Sequence, residues 1–383
     1  MTPGFPLGLP SALLRLDFNL SRIPEPAAAA GWLPQDPLLA LVFQAGLIII
    51  GCSFLMLLSV FALRMRLLAR QRRESFHEAR WKPLLAECVF GVPERLPEVP
   101  RDMRYHFLKQ WNYHHESLVG AARRNLETLA ERMHLEEVAR DLMRSGDLRQ
   151  RLIGVVTLGH LGDRTQWHEL RALVSDRSPM LSLAAARALL DIDAAATLAW
   201  LVTVMASRED WPLARVVAML REAGPDRCTQ PLIAATEAAS RVEGGKREVV
   251  RLLQMMEVAH TERVAPLAGR IARESEEPEV IAAALRLTQD PRDLDIVRTL
   301  ARHGEWFVRL AALRVLGRIG EPADRVLLLD LLCDPHWWVR YHAARALITL
   351  PGARLEDLDK VRGTLSDRFA ADMLGEAIAE ARA

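Results

Sequence analysis

Glu305 to Pro322 reads EWFVRLAALRVLGRIGEP, and Asp334 to Gly352 reads DPHWWVRYHAARALITLPG. Laid over one another at a shift of 31 residues, Val308 falls on Val339, Arg309 on Arg340, Ala312 on Ala343, Arg314 on Arg345 and Leu316 on Leu347. A shift of 158, close to five such units, sets DRSPMLSLAAARALL on the second stretch. Asp176 then meets Asp334, Arg187 meets Arg345 and Leu189 meets Leu347. The same shift sets RLIGVVTLGHLG on the first stretch, with Arg151 on Arg309 and Gly159 on Gly317. Two independent matches at one shift mark an internal repeat. Fainter copies lie between, at 210–225, 246–259 and 278–291.

The repeat has a physical reading. Val308, Ala312, Val315, Leu316 and Ile319 lie on one face of a helix, and the small Ala pairs let neighbouring helices approach closely. Gly320-Glu321-Pro322 and Gly224-Pro225 are helix stops, the glycine accepting a left-handed turn and the proline barring continuation. Asp176 and Asp334 stand where a helix N-cap is needed. Each unit of about 31 residues is thus a helical hairpin that cannot bury its apolar face alone, so the units stack.

The motifs D-x-x-x-x-VR-x-x-AA-x-AL at Asp334 to Leu347 and VR-x-x-A…LG-x-IG at Val308 to Gly320 resemble HEAT-like repeats, the short variety similar to bacterial lyase-type repeats. The resemblance covers about residues 145–352, most specifically at its two ends. It implies an all-α fold, a right-handed α-solenoid of HEAT-like hairpins. It also implies that Asp176, Asp334, Arg309 and Arg340 belong to a hydrogen-bonded ladder linking successive turns.

Ahead of the repeats, Leu38 to Leu63 forms 26 consecutive residues without a charge. As a helix that stretch spans the hydrocarbon core of a bilayer, and it begins too far from Met1, with no basic lead, to be a cleaved signal. Arg64, Arg66, Arg70, Arg72 and Arg73 follow it, whereas the residues before it carry two positive and three negative charges. Positive charge marks the cytoplasmic side. The expectation is a bacterial inner-membrane protein with one span, a short N-terminus outside and the repeats in the cytoplasm. Trp32 suits an interfacial anchor.

The expected organisation is therefore an irregular stretch over 1–36, a transmembrane helix over 37–64, and a basic juxtamembrane segment with a Pro-rich connector over 65–104, holding one short helix at most. A cap of two amphipathic helices follows over 105–145, then repeats over 146–352 and a closing helical pair over 353–383.

Composition narrows the function. Fifty basic and 49 acidic side chains leave a net charge of +1, which argues against nucleic-acid binding through a broad basic field. Four scattered cysteines exclude a disulfide framework or a cysteine zinc site. Phosphate-binding, dinucleotide-binding, zinc-protease and nucleophile-elbow motifs are missing from the sequence. His106, His114, His115, Glu116 and His134 fit no zinc template, and His160 and His342 stand isolated. No catalytic, cofactor, metal or small-molecule site is expected.

Two sets of residues remain as partner-binding candidates. Trp306-Phe307 and Trp337-Trp338 occupy one repeat position, with Trp211 at a comparable point; they serve either packing between hairpins or an aromatic ledge for a partner. Arg187, Arg314 and Arg345 recur on one side, either as a solvated face or as a basic stripe for an acidic partner or lipid headgroup. The expected role is a membrane-anchored scaffold or adaptor that docks protein partners of a membrane complex. The stretch from Phe107 to Ala130 also resembles bacterial membrane-tethered HEAT proteins, some associated with processive glycosyltransferases, which implies an accessory role in envelope polysaccharide synthesis. The rivals are a lyase-type enzyme, which needs a cavity with convergent acidic and aromatic groups, and a regulatory receptor, which needs a folded outer domain.

Overall fold

The computed structural model describes residues 37–382, and every regular element among them is helical. The chain divides into two units, one ending at Phe76 and the other running from His77 onward. The expectations for residues 1–36, including the Trp32 anchor, lie outside the described residues.

Helix α1 runs Pro37–Glu87. Its stretch Phe43–Arg66 has a mean hydropathy of 2.6 with none of its most apolar window buried, so by length and composition it can cross a membrane. The helix does not stop at the arginines. It continues through residues expected to form a connector, and Pro83 lies inside its last turns. The reason is composition: between Arg64 and Lys82 the chain is rich in Arg, Leu, Ala, Gln and Glu, all strong helix formers, with no glycine or proline. In the second unit Trp81, Leu85 and Cys88 are buried, and the Trp81 ring meets Phe107 edge-on at 4.8 Å.

The expected two-helix cap has three helices: α2 (Arg104–Ser117), α3 (Ala121–Arg132) and α4 (Leu135–Met143). The extra break falls at His134, whose φ of 50° turns the chain in the left-handed region before α4 starts.

Hairpins follow in chain order. Their first helices are α6 (Trp167–Leu173), α9 (Pro225–Ala239), α11 (Thr261–Glu274), α13 (Leu294–Leu300), α15 (Arg325–Leu331) and α17 (Leu355–Arg362). Second helices are α5 (Leu148–Leu161), α8 (Leu213–Ala223), α10 (Lys246–Met255), α12 (Pro278–Leu285), α14 (Trp306–Ile319), α16 (Trp337–Thr349) and α18 (Arg368–Arg382). Helix α7 (Pro179–Ser207) serves twice: it breaks at Asp193 (φ −156°, ψ 92°), so its first half closes one hairpin and its second half opens the next. Asp193 Oδ1 caps the new half by accepting from the Ala196 amide at 3.1 Å. Though α7 is apolar enough to pass as a second membrane span (mean hydropathy 1.6), it is broken and packs on α5, α6 and α9.

Second helices stack on one another, α5 on α7, α10 on α12, α12 on α14, α14 on α16 and α16 on α18, and each packs on its own hairpin partner. This neighbour-to-neighbour packing is the arrangement expected of an α-solenoid. One core runs through it, lined by residues such as Leu158, Leu189, Leu220, Leu316 and Leu347. Gly224 ends α8 at φ 90°, as a left-handed stop. Gly320 does not: its φ is −64°, and its missing side chain instead leaves room for Leu316 O, which a Cβ would meet at 2.3 Å.

Candidate functional site

The ladder residues set the frame. Arg309 donates from Nε and Nη2 to the two oxygens of Asp334 at 2.7 and 2.9 Å, a forked pair in which the side chains are 12% and 5% exposed. Asp334 Oδ1 also accepts from the His336 amide at 2.8 Å. Asp176 accepts from the Ser178 amide at 2.8 Å and from Arg151 at 3.4 Å. Neither aspartate is a helix N-cap; Ser178 and His336 hold those places. The aspartates sit two residues earlier, in Asx turns, where one oxygen fixes the loop and the other reaches back to the preceding repeat. Arg340 donates to Asp334 O and meets Asp367 at 3.2 Å, carrying the ladder into the last helical pair.

At the start of the second helices the aromatic residues divide. Trp211 is fully buried, its Nε1 donating to Ser182 Oγ at 2.9 Å. It lies in the loop before α8 and points into the stack. Trp306, Trp337 and Trp338 begin their helices and are 37%, 52% and 41% exposed. Trp306 stacks on His336 at 4.0 Å with planes 3° apart, and Trp337 stacks on Trp338 at 4.0 Å. Tyr341 stands edge-on to Trp338, and His342 stacks against the same indole. Phe307 meets Trp306 edge-on at 6.0 Å and packs against the core.

Arg345 donates to Tyr341 Oη at 3.2 Å and Arg314 lies 3.4 Å from His342 Nε2. Burial first, then Arg314 and Arg345, hold His342 down to about 4. Six of the seven partner-binding candidates thus gather on one ledge. Arg187 does not: it pairs with Glu222 at 3.0 Å on a different cavity. Of the membrane-flanking arginines, Arg64 and Arg66 lie exposed on α1; the side chains of Arg70, Arg72 and Arg73 are outside the described residues.

That cavity, about 760 Å³, opens where the cap meets α5 and α7. Its floor is a pair of stacked imidazoles, His115 and His160, with ring centroids 4.5 Å apart. His115 Nε2 accepts from Arg123 Nε at 3.2 Å and lies 3.3 Å from Glu127. His160 Nδ1 lies 3.1 Å from Asn112 Oδ1, and Asn112 donates onward to Thr157 at 3.0 Å. Burial, then the neighbouring His115 and arginines, pushes His160 down to about 3. His115 is lowered too, by burial and Arg123. Asp191, on the wall of the same cavity, is pushed up to about 6 by desolvation there, with Arg187 pulling the other way.

Of the histidine group in the cap, His115 and Glu116 reach this cavity, while His134 lies in the turn beside Glu136. No three metal-capable side chains converge among the described residues. His160 is the functional-looking residue that sequence reasoning missed. It stands 45 residues from its partner, and no local spacing links them.

Comparison with known proteins adds a match to HEAT repeats over part of the chain. The model of HEAT repeats matches residues 264–348 and 299–378. The search of curated proteins found no match. Among solved structures, an engineered protein is similar at 15% identity, covering 75% of this chain and 87% of its own, with a TM-score of 0.36. Human deoxyhypusine hydroxylase in complex with glycerol is similar at 16% identity, covering 80% and 96%, with a TM-score of 0.25. The matched span takes in α17 and the part of α18 up to residue 378. Residues 264 to 378 of this chain therefore carry HEAT repeats.

Proposed function

We propose that this chain is a membrane-anchored, non-catalytic scaffold that docks partner proteins on its HEAT repeats. The observation that carries the reading is the ledge of Trp306, Trp337 and Trp338, large aromatic side chains left in solvent on a rigid ladder-tied frame. Exposed aromatics flanked by arginine are the side chains that dominate binding energy at protein interfaces. In this reading Phe43–Arg66 of α1 spans the bacterial inner membrane and the arginines after it keep the array in the cytoplasm. Tethering raises the local concentration of membrane neighbours, so modest contacts suffice. The resemblance noted in the cap makes a membrane complex of envelope polysaccharide synthesis the client of choice.

The test is crosslinking of the full-length protein in intact membranes, followed by identification of its neighbours. A defined membrane complex captured in stoichiometric amount supports the scaffold; a chain that crosslinks to nothing above background refutes it.

The acid-lined cavity favours one other reading, a small-molecule site of the lyase kind. Against it, the lining includes no serine, cysteine, threonine, lysine or tyrosine among the described residues. Its histidines and Arg187 are also engaged with protein partners. Purified protein carrying an absorbing ligand that Asp191→Asn abolishes would favour this second reading.

A further inference from the structure

Outside α1, eleven large apolar side chains are exposed among the described residues, and six of them hold one structural position. Leu148, Met180, Trp306, Trp337, Trp338 and Phe369 each occupy the first or second residue of a hairpin's second helix. On α10 and α12 that position turns polar, with Lys246-Arg247 and Glu279. Over the last three hairpins the exposed residues join into one surface. Trp306 stacks on His336 of the next hairpin, and the Arg340 guanidinium lies 5.8 Å over the Phe369 ring of the one after.

The same edge is electropositive. Arg314 and Arg345 ion-pair with no carboxylate among the described residues and lean on the aromatic cluster through His342 and Tyr341. The nearby ladder carboxylates Asp334 and Asp367 are already held by Arg309 and Arg340. None of α14, α16 and α18 has an acidic residue in its first turn, although Asp367 just before α18 accepts from the Phe369 and Ala370 amides at 2.8 and 3.3 Å. Glu305, just before Trp306, is the one acidic residue placed against this trend at the start of α14.

Spacing selects the form of a ligand. Packed helices stand roughly 8–10 Å apart, and a polyproline II chain advances about 3.1 Å per residue with three residues per turn. Such a chain presents one side chain to each successive helix start at every third residue. A β-strand, with side chains alternating at about 6.8 Å on a face, falls out of step.

We propose that the ledge of the last three hairpins binds an extended acidic segment of a partner protein, with an apolar side chain at every third position set against Trp306, Trp337–Trp338 and Phe369 and carboxylates between them facing Arg314 and Arg345. The inference rests on the scaffold reading and gives the chemistry of its partner.

Calorimetric titration of the full-length protein in phosphatidylcholine nanodiscs tests it. The probes are synthetic peptides of repeated Leu-Pro-Glu triplets, Leu-Pro-Lys triplets, and a Leu-Glu dipeptide repeat. The triplet acidic peptide is expected to bind saturably and best. Affinity should fall about tenfold or more in the double variant Trp337→Ala, Trp338→Ala, and severalfold in Arg314→Gln, Arg345→Gln or at high salt. Equal binding of the lysine peptide or of the dipeptide repeat overturns the proposal, as does unchanged affinity in the tryptophan variant. So does failure of every peptide while phosphatidylglycerol vesicles bind through the ledge, which makes it a lipid surface. A dimer in sedimentation that the tryptophan variant abolishes overturns it as well, by assigning the ledge to a second copy. Native neighbours that still crosslink to both variants defeat this inference and leave the scaffold reading standing.

Discussion

Trp211 and Trp337 illustrate what a sequence pattern conveys about a single side chain. Both stand at the start of a helix in the repeat register, yet one is sealed in the core and the other lies half in solvent. The deciding feature is the residue after Trp211. Pro212 delays the helix to Leu213, so the indole is left in the loop and turns onto Ser182. Trp211→Ala removes a buried ring and its hydrogen bond and is expected to cost about 3–5 kcal/mol. Trp337→Ala removes an exposed ring and should stay within about 0.5 kcal/mol. Chemical denaturation of the two variants checks the contrast, and equal losses would mean that the ledge is part of the core. The Arg309–Asp334 pair was legible because both members are motif residues, whereas Asp367, the partner of Arg340, lies outside the motifs. The His115–His160 stack was not, because its partners come from different helices and share no periodicity.

Helix spacing explains which repeats the sequence revealed. Second helices begin at residues 148, 179, 213, 246, 278, 306, 337 and 368, so the interval is 31 at both ends and 34, 33, 32 and 28 in the middle. A fixed shift of 31 therefore loses the central copies. The longer shift of 158 recovers the ends because the first interval, 148 to 179, equals the later one, 306 to 337, so both pairs of helices keep the same offset. Close packing between elements was legible only in part. Gly159 and Gly317 align, but a Cβ at Gly159 would lie 2.7 Å from the Ala188 backbone of α7, whereas at Gly317 the nearest atom is Thr349 Oγ1 at 3.3 Å. Gly159→Ala is expected to destabilise by about 1–3 kcal/mol through a forced shift of α5 from α7. Gly317→Ala should be neutral or stabilise by up to about 1 kcal/mol, since alanine is the better helix former. Matching thermal shifts of the same sign would contradict this account of the interface.

Titrating groups in two places, His160 and Asp191 at the contact of cap and array and His342 on the ledge, make stability depend on pH. His160 and His342 hold pKa values of about 3 and 4 in the folded chain against 6.5 when exposed, so the unfolded chain takes up their protons first. The stability they secure is complete above pH 6.5 and is lost as pH falls towards 4 and then 3. Asp191 acts in the opposite sense: raised from 3.8 to about 6, it favours the folded chain at low pH and ceases to as pH rises through 6. Two imidazoles outweigh one carboxylate, so melting temperature should fall between pH 6.5 and pH 4. His160→Asn should flatten that slope and Asp191→Asn should steepen it; a slope unchanged in His160→Asn would refute the assignment.

For the whole molecule, the repeats fix architecture but leave the partner open, because stacking constrains buried apolar positions while specificity lies in surface side chains that folding leaves free. Orientation is more accessible, since it rests on the charge step at Arg64 and Arg66. The cysteines provide the measurement. Cys88 and Cys228 are buried, Cys52 lies within the apolar stretch of α1, and Cys333 is exposed beside the ladder residue Asp334. A membrane-impermeant maleimide should therefore report on Cys333 alone. If the array is cytoplasmic, label enters in inverted membrane vesicles and is absent from intact spheroplasts until they are permeabilised, and Cys333→Ser abolishes it. Labelling of intact spheroplasts at Cys333 would put the array on the outer side and reverse the topology. Label that appears equally in both preparations, with protein released by a carbonate wash, would mean that α1 does not anchor the chain at all.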